Sequence, residues 1–348
     1  MKKNIKKIII CLLFIGLLVY CFTDGNYNSK YKLNIISSYG DDESYHPKVL
    51  VFDKEWNGYK YWMSYTPYPQ GDDSKENPHI AVSNDLVTWE PIYKQDRALN
   101  TPKEAIPGQK YNSDSHIVYN NDTNELEMYW RYVDNEQKDV YLYRMVSKDG
   151  TTWSDKEISA YSEVRLNHDY ISPAILYENG TYKMWYVDAD NKVKYTESKD
   201  AKNWSEGVLV DLKYEDKLDS WHLDVIKSDL GYEMLMVAFD DWDHHNDMSL
   251  YYSKSSDGIS WDKMSLVLEP TVNTGYWDNK GIYRCSFVKI NGVYIVYYGG
   301  TNTDYHHGMG LVWGKDIHKL NKTNVNFSNK EARDKFAKLL QKEIKWKY

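Results

Sequence analysis

The sequence predicts an all-β protein, a five-bladed β-propeller of four-stranded antiparallel blades with an N-terminal signal or anchor segment and a short C-terminal helix. Three observations carry that expectation. A polar turn recurs as SNDLVTW (83–89), SKDGTTW (147–153), SKDAKNW (198–204) and SSDGISW (255–261), with Ser, Asp and Trp at constant offsets. Each copy follows a stretch of alternating aromatic and apolar residues, YKYWMSYTP, LEMYWRYVD, YKMWYVDAD and YEMLMVAFD, and a fifth such stretch, VYIVYYGG, starts at Val293. Turns such as ENG and NG, with the Asn-Gly chemistry of tight hairpins, separate these stretches from a shorter apolar segment upstream. A motif spread at fixed spacing over 348 residues argues for one repeated domain, not several independent ones.

In chain order, residues 1–24 come first. MKKNIKK precedes an apolar run from Ile8 to Phe22 that is shorter than the ~20 residues needed to span a bilayer, the pattern of an export signal. Cys21 closes that run, but LVYC lacks the small residues of a lipidation box, so cleaved signal, lipid anchor and membrane anchor all stay open. The chain is expected to be exported, secreted or attached to the outer face of the cytoplasmic membrane. Cys285 is the one cysteine beyond the leader, so a packed core has to hold the domain together.

The propeller is assigned to residues 25–325. Each unit supplies an inner strand (45–52, 113–120, 170–177, 221–228, 283–290), the aromatic strand, a third strand such as HIAVS or KVKYTES, the polar turn and a short fourth strand. In the turn, the Ser and Asp side chains are expected to bond backbone amides while the Trp packs against the neighbouring blade. In the fifth unit the motif decays to GLVWGKD. Residues 326–348 read as an amphipathic helix, with a capping box at Ser328 and Glu331 and apolar Ala332, Phe336, Leu339 and Leu340 at helical spacing.

First strands line the channel of a propeller, and residues two apart on a strand share a face. Three positions before the apolar centre stand His46, Asp114, Ile171, His222 and Arg284; one position before it stand Lys48, His116, Pro173, Asp224 and Ser286. Seven of these ten are ionisable. Buried charges cost several kcal/mol unless paired or solvated, so the ring faces water, a ligand or itself. The plain alternative is a mutually satisfied network that plugs the channel. Loops joining second to third strands, including TPYPQGDDSKENPH (66–79) and TNTDYHHG (301–308), are expected to wall the same mouth. The adjacent pairs His244-His245 and His306-His307 match no metal-ligand spacing, and neither metal nor cofactor is expected. With 33 tyrosines, 13 tryptophans and a formal charge of −8, the chain suits an oligosaccharide or polysaccharide and not nucleic acid. A monomer is expected.

ENGTYKMWYVD and the Ser-x-Asp-x-x-x-Trp turns resemble the five-bladed propeller glycoside hydrolases of families 43, 32 and 130 over nearly all of residues 40–320. That resemblance implies a base Asp on blade one, a tuning Asp on blade three and an acid Glu on blade four. Here His46 and Ile171 stand in the first two places, and SWHLDV has no Glu for the third. The substitutes are Asp224 as acid and Asp114 as base, because glycosidic hydrolysis generally needs two carboxyls. His46, Lys48, His116, His222, Arg284, Ser286, Asp169 and Trp221 are expected to bind substrate, with Asp278 a secondary carboxylate. The first functional expectation is a glycoside hydrolase-like protein acting on an exported or cell-surface polysaccharide through a central polar pocket; the alternative is a non-catalytic carbohydrate-binding propeller.

Overall fold

The computed structural model describes residues 31–92, 97–163, 169–214, 217–240, 247–272 and 275–344. The leader and the His244-His245 pair lie outside them. Blade one consists of β1 (Ser44–Trp56), β2 (Tyr59–Pro67), β3 (His79–Ser83) and β4 (Glu90–Pro91). Blade two is β5 (Lys110–Asn120), β6 (Glu125–Asp134), β7 (Asp139–Ser147) and β8 (Glu157–Glu163). Blade three is β9 (Ile171–Glu178), β10 (Thr181–Val187), β11 (Val193–Ser198) and β12 (Val208–Leu209). Blade four is β13 (Asp219–Ser228), β14 (Gly231–Phe239), β15 (Ser249–Ser255) and β16 (Ser265–Leu268). Blade five is β17 (Gly281–Ile290), β18 (Val293–Thr301), β19 (His307–Gly314) and β20 (Asn321–Lys322).

Every sheet pairs its strands in chain order, so each blade is an uninterrupted meander and none borrows a strand. The five first strands touch in a closed circuit, β1 to β5, β9, β13, β17 and back to β1. That circuit is the channel wall, as the repeats predict.

The recurrent turn is structural. Ser147 Oγ accepts the Gly150 amide at 2.8 Å and Asp149 Oδ1 accepts those of Thr151 and Thr152 at 2.7 Å. Ser255 and Asp257 repeat the pattern. The residue after each Asp is left-handed, at Leu86, Gly150, Ala201 and Gly258. Both this residue and the Trp meet the preceding blade, with Trp89 edge-on to Tyr297 of blade five and Trp261 edge-on to Trp185 of blade three. A Cβ at Gly150 would sit 2.3 Å from Trp62, and the Gly258 carbonyl accepts the Trp185 indole at 2.7 Å. Trp153 and Trp261 also bond their own turns, through the carbonyls of Gly150 and Gly258, whereas Trp204 reaches Ser159 of blade two.

The helix α1 (Lys330–Ile344) begins one residue later than the capping box implies. Asn329, not Ser328, caps it, accepting the Ala332 amide at 3.1 Å. It buries Phe336, Ala337, Leu340 and Ile344, while Leu339 is 46 % exposed and outside the packed stripe. Those side chains share a core with Leu33, Ile35 and Val49 of the blade-one side and Val288, Ile290 and Ile295 of blade five. The helix therefore staples the seam that closes the ring. Gln341 bonds the Asp85 carbonyl in the blade-one turn, and the Ile344 carbonyl accepts Asn291 of blade five. Each large side chain buried there contributes about 1.5–3 kcal/mol.

Candidate active site at the mouth of the channel

All five first strands break register at the same depth. In four of them two residues oppose one on the second strand: His46 and Pro47, Asp114 and Ser115, Ser172 and Pro173, Tyr283 and Arg284. In β13, Trp221 is the extra residue. These are β-bulges, which bend a strand and re-aim its side chains. His46, Asp114 and Ser172 adopt left-handed φ of 48°, 50° and 51°, strain that non-glycine residues show mostly where function requires it.

Above the bulges lies a cavity of about 100 Å³ lined by His46, Glu76, Asp114, Arg131, Trp221 and His222, together with Tyr68, Tyr111 and Tyr283. Arg284 stands behind it. Its Nη1 donates to Asp114 Oδ1 at 2.6 Å, and Arg131 Nη1 donates to Asp114 Oδ2 at 2.8 Å. Burial alone would raise the Asp114 pKa, but His222, Arg284 and Arg131 outweigh it and hold the carboxyl well below the usual range. The two guanidiniums thus favour the ionised form of Asp114, which suits an acceptor and not a proton donor.

His222 Nδ1 lies 3.3 Å from Asp114 Oδ1 and 3.1 Å from Ser172 Oγ, and its Nε2 is buried without a partner. Burial keeps this imidazole neutral, lowering its pKa against the pull of Asp114. His46 is the counterpart across the cavity, its ring centroid 5.7 Å from that of His222. Its Nδ1 lies 2.6 Å from Thr66 Oγ1 and 2.8 Å from Glu76 Oε1, and its Nε2 is likewise buried and unpartnered. Burial pushes the His46 pKa well down.

Glu76 is the site residue that the sequence reading missed. It follows a 3₁₀ turn, Asp73–Lys75, in the long β2–β3 loop of blade one, where Asp72 accepts the Ser74 amide. The next residue, Asn77, anchors the loop by donating to the Tyr39 hydroxyl and accepting Asn112 Nδ2. Burial, reinforced by the charges of Asp114 and Asp73, raises the Glu76 pKa well above the usual carboxylate range, so it holds a proton near neutrality. Loop length was the available signal: this connection runs to 11 residues where those of blades two and three run to four and five.

The remaining expected residues separate into two groups. His46, Asp114, His222 and Trp221 line the cavity, and Arg284 supports it. Asp169 contributes its backbone carbonyl, which accepts Arg131 Nε at 2.9 Å. Lys48, His116, Asp224 and Ser286 do not reach the cavity. Lys48 donates to Asp224 Oδ1 at 2.6 Å, and the same carboxylate accepts the amides of Val225 and Phe287. His116 Nε2 accepts the Ile175 amide, and Ser286 Oγ accepts that of Val49. This lower tier is the plug anticipated as the alternative, and it corrects the expectation that Asp224 faces a wet centre. Asp278 is also remote, accepting the Tyr298 hydroxyl in the core. His306 and His307 bond Glu43 and fasten the blade-five loop to blade one. Among the described residues no group of three or more His, Cys, Asp or Glu is placed to hold a metal ion.

No family profile matches the chain. It is 28 % identical over 300 residues to the A type blood N-acetyl-alpha-D-galactosamine deacetylase of Flavonifractor plautii, a match covering 72 % of this chain and 38 % of that protein. The chain thus spans about two fifths of the relative's length. Among solved structures, it resembles an N-acetylgalactosamine deacetylase from F. plautii in complex with blood group B trisaccharide, with TM-score 0.72, 22 % identity, and coverage of 85 % of this chain and 95 % of that one. It also resembles a thermostable family-43 glycoside hydrolase, with TM-score 0.60, 16 % identity, and coverage of 84 % and 96 %. An exo-beta-1,3-galactanase from Phanerochaete chrysosporium follows, with TM-score 0.59, 11 % identity, and coverage of 85 % and 66 %. The fold is that of the five-bladed propeller glycoside hydrolases.

Proposed function

We propose that the chain is a carbohydrate-active hydrolase that removes an acyl group from an amino sugar, with the glycosidic bond left intact. One observation carries the reading: two buried imidazoles present unpartnered Nε2 atoms to one cavity, each with a carboxyl within 3.3 Å of its Nδ1. Oppositely tuned titratable pairs are how a site divides acid from base work.

Asp114, ionised, accepts the Nδ1 proton of His222 and leaves the Nε2 lone pair facing the cavity. Glu76, its protonated form favoured by burial, has Oε1 2.8 Å from His46 Nδ1, so that rotation of its carboxyl lets it donate there and leave an N–H on Nε2. His222 takes a proton from water as its oxygen attacks the acyl carbon, and the carbonyl π pair moves to oxygen. When the C–N bond breaks, His46 Nε2 gives its proton to the departing nitrogen and recovers one from Glu76. The products are a carboxylic acid and an amino sugar. The proton held by His222 then returns to His46 Nε2 across the cavity, and His46 Nδ1 hands its proton back to Glu76.

Cavity size supports the acyl substrate. At about 100 Å³ it is smaller than the ~150 Å³ that admits a benzene ring, so it takes a substituent and not a pyranose. Asp114, locked between two guanidiniums, is poorly suited to be the second carboxyl of a glycosidase. The deacetylase activity for which the F. plautii relative is named supports the same choice. The lysine-rich, apolar start of the chain supports an exported or cell-surface glycan as substrate.

The test is mass spectrometry of products from N-acetylated and non-acetylated oligosaccharides, with and without added divalent cations. Released acetate with the oligosaccharide length unchanged supports the reading; new reducing ends without acetate overturn it in favour of glycosidic hydrolysis.

A further inference from the structure

The face opposite the cavity carries a larger concavity of about 480 Å³ in the seam between blades four and five. Its floor is Glu233, 4 % exposed, whose carboxylate accepts the Tyr252 hydroxyl at 2.8 Å, the Tyr294 hydroxyl at 2.7 Å and Lys289 at 2.9 Å. Burial would raise its pKa, but Lys289 and the two tyrosines hold it below the usual value, so the floor is ionised and saturated.

The rim differs. Asp229, Lys254 and Ser256 line the groove, and no hydrogen bond or ion pair engages their side chains among the described residues. Leu230, 83 % exposed at the tip of the β13–β14 turn, forms an apolar lip beside the half-buried Tyr252 ring. Glu233 neutralises Lys289, Asp229 balances Lys254, and Asp262 adds one negative charge. With no net positive field, the groove does not suit phosphate or nucleic acid.

At every seam the turn of the incoming blade seats on the blade before it: Gly150 on Trp62, Gly258 on Trp185, and the Leu86 carbonyl on the Tyr297 hydroxyl. Blade five keeps only the Asp of the motif; Asp316 accepts the His318 amide, Ile317 is buried in the blade-four core, and His318 lies edge-on to Tyr252 beside the groove.

We propose that this groove binds a neutral saccharide chain. A volume of about 480 Å³ falls within the roughly 300–1,000 Å³ of small-ligand sites. A rim that alternates ammonium, carboxylate and hydroxyl matches the mixed donors and acceptors of sugar hydroxyls, while Leu230 and Tyr252 meet their C–H faces. The groove holds a glycan at a second point, independent of what the central cavity does.

The full chain carrying Glu76→Gln is titrated by calorimetry with maltotriose, β-1,3-galactotriose and triacetylchitotriose, alone and with Lys254→Ala, Ser256→Trp or His222→Ala. At least one trisaccharide is expected to bind, with Kd weakened about tenfold by Lys254→Ala or by plugging with Ser256→Trp. Melting temperature should be unchanged by both. His222→Ala should leave this binding alone, and in the otherwise native chain Ser256→Trp should leave release of product from a short soluble substrate intact. Absence of binding by all three trisaccharides overturns the proposal. So does binding that survives both groove variants, or binding that His222→Ala abolishes.

Discussion

Two tiers of side chains stand two residues apart on the same four strands, β1, β5, β13 and β17, and they do opposite things. The lower tier, Lys48, His116, Asp224 and Ser286, is closed upon itself, with a donor or acceptor found for each member. The upper tier, His46, Asp114, His222 and Arg284, is just as buried but leaves the Nε2 atoms of both histidines without partners. Burial and charge are therefore common to both tiers and identify neither as a site. What separates them is the bulge, which turns the upper tier out of the ladder, and the β2–β3 loop that brings in Glu76. Two unsatisfied imidazole nitrogens facing one cavity call for a partner there, water or ligand.

That contrast is most directly broken by exchanging Glu76 for Gln, or His222 for Ala. Turnover should fall about 10²- to 10⁴-fold, as for the loss of a general acid or base, with melting temperature not lowered. A variant that keeps full activity would reduce the upper tier to scaffolding. The lower tier should answer the other way: Asp224→Ala leaves Lys48 buried and unpaired, a change that costs about 3–5 kcal/mol. Denaturant titration measures it. Removing both charges, Lys48→Met with Asp224→Leu, should recover most of that loss.

A third test uses linkage. The folded-state pKa of Glu76 lies above its unfolded value, so within that window the native state holds a proton that the unfolded chain releases. Stability falls by about 1.4 kcal/mol for each pH unit across the window. Gln at 76 lacks that slope, so the variant should gain stability over the parent as pH rises from acid toward neutral. A gap that stays constant with pH would contradict a raised pKa.

A smaller effect concerns the pH profile of kcat/KM, which should be bell-shaped. Its acid limb reports protonation of His222, displaced below the ordinary imidazole value by burial; its alkaline limb reports loss of the Glu76 proton. In whatever activity Glu76→Gln retains, the alkaline limb should vanish while the acid limb stays. Outside the site, Glu43 has its pKa held at about 2: burial opposes the shift, but bonds from His307, the Gln70 amide and His306 prevail. Its stabilisation is present above the unfolded carboxylate value and is lost as pH falls toward about 2. Melting curves of Glu43→Gln should thus differ from the parent at neutral pH and converge with it in acid.

The blades and the inward ring were legible because both rest on short-range pattern: a repeated turn and a two-residue alternation. His46, Asp114, His222 and Arg284 were found by that alternation alone. It does not convey depth or pairing. The Lys48–Asp224 bond joins residues 176 apart, and nothing local to either distinguishes it from an open site. Glu76 sits on no strand, so periodicity passes over it, and only the length of its loop signalled a role. The helix start shifted by one residue because Ser328 and Asn329 are adjacent and both suit an N-cap.

The stapled seam also has a consequence in time. Proteins are made from the N-terminus, and blades one to four can form their meanders as they emerge. The central cavity, however, needs His46 from the first blade and Tyr283 from the last, and their seam is fastened by Phe336, Leu340 and Ile344 of α1. Translation must therefore pass α1 before the seam behind the central cavity can close, and the first four blades alone leave that cavity open.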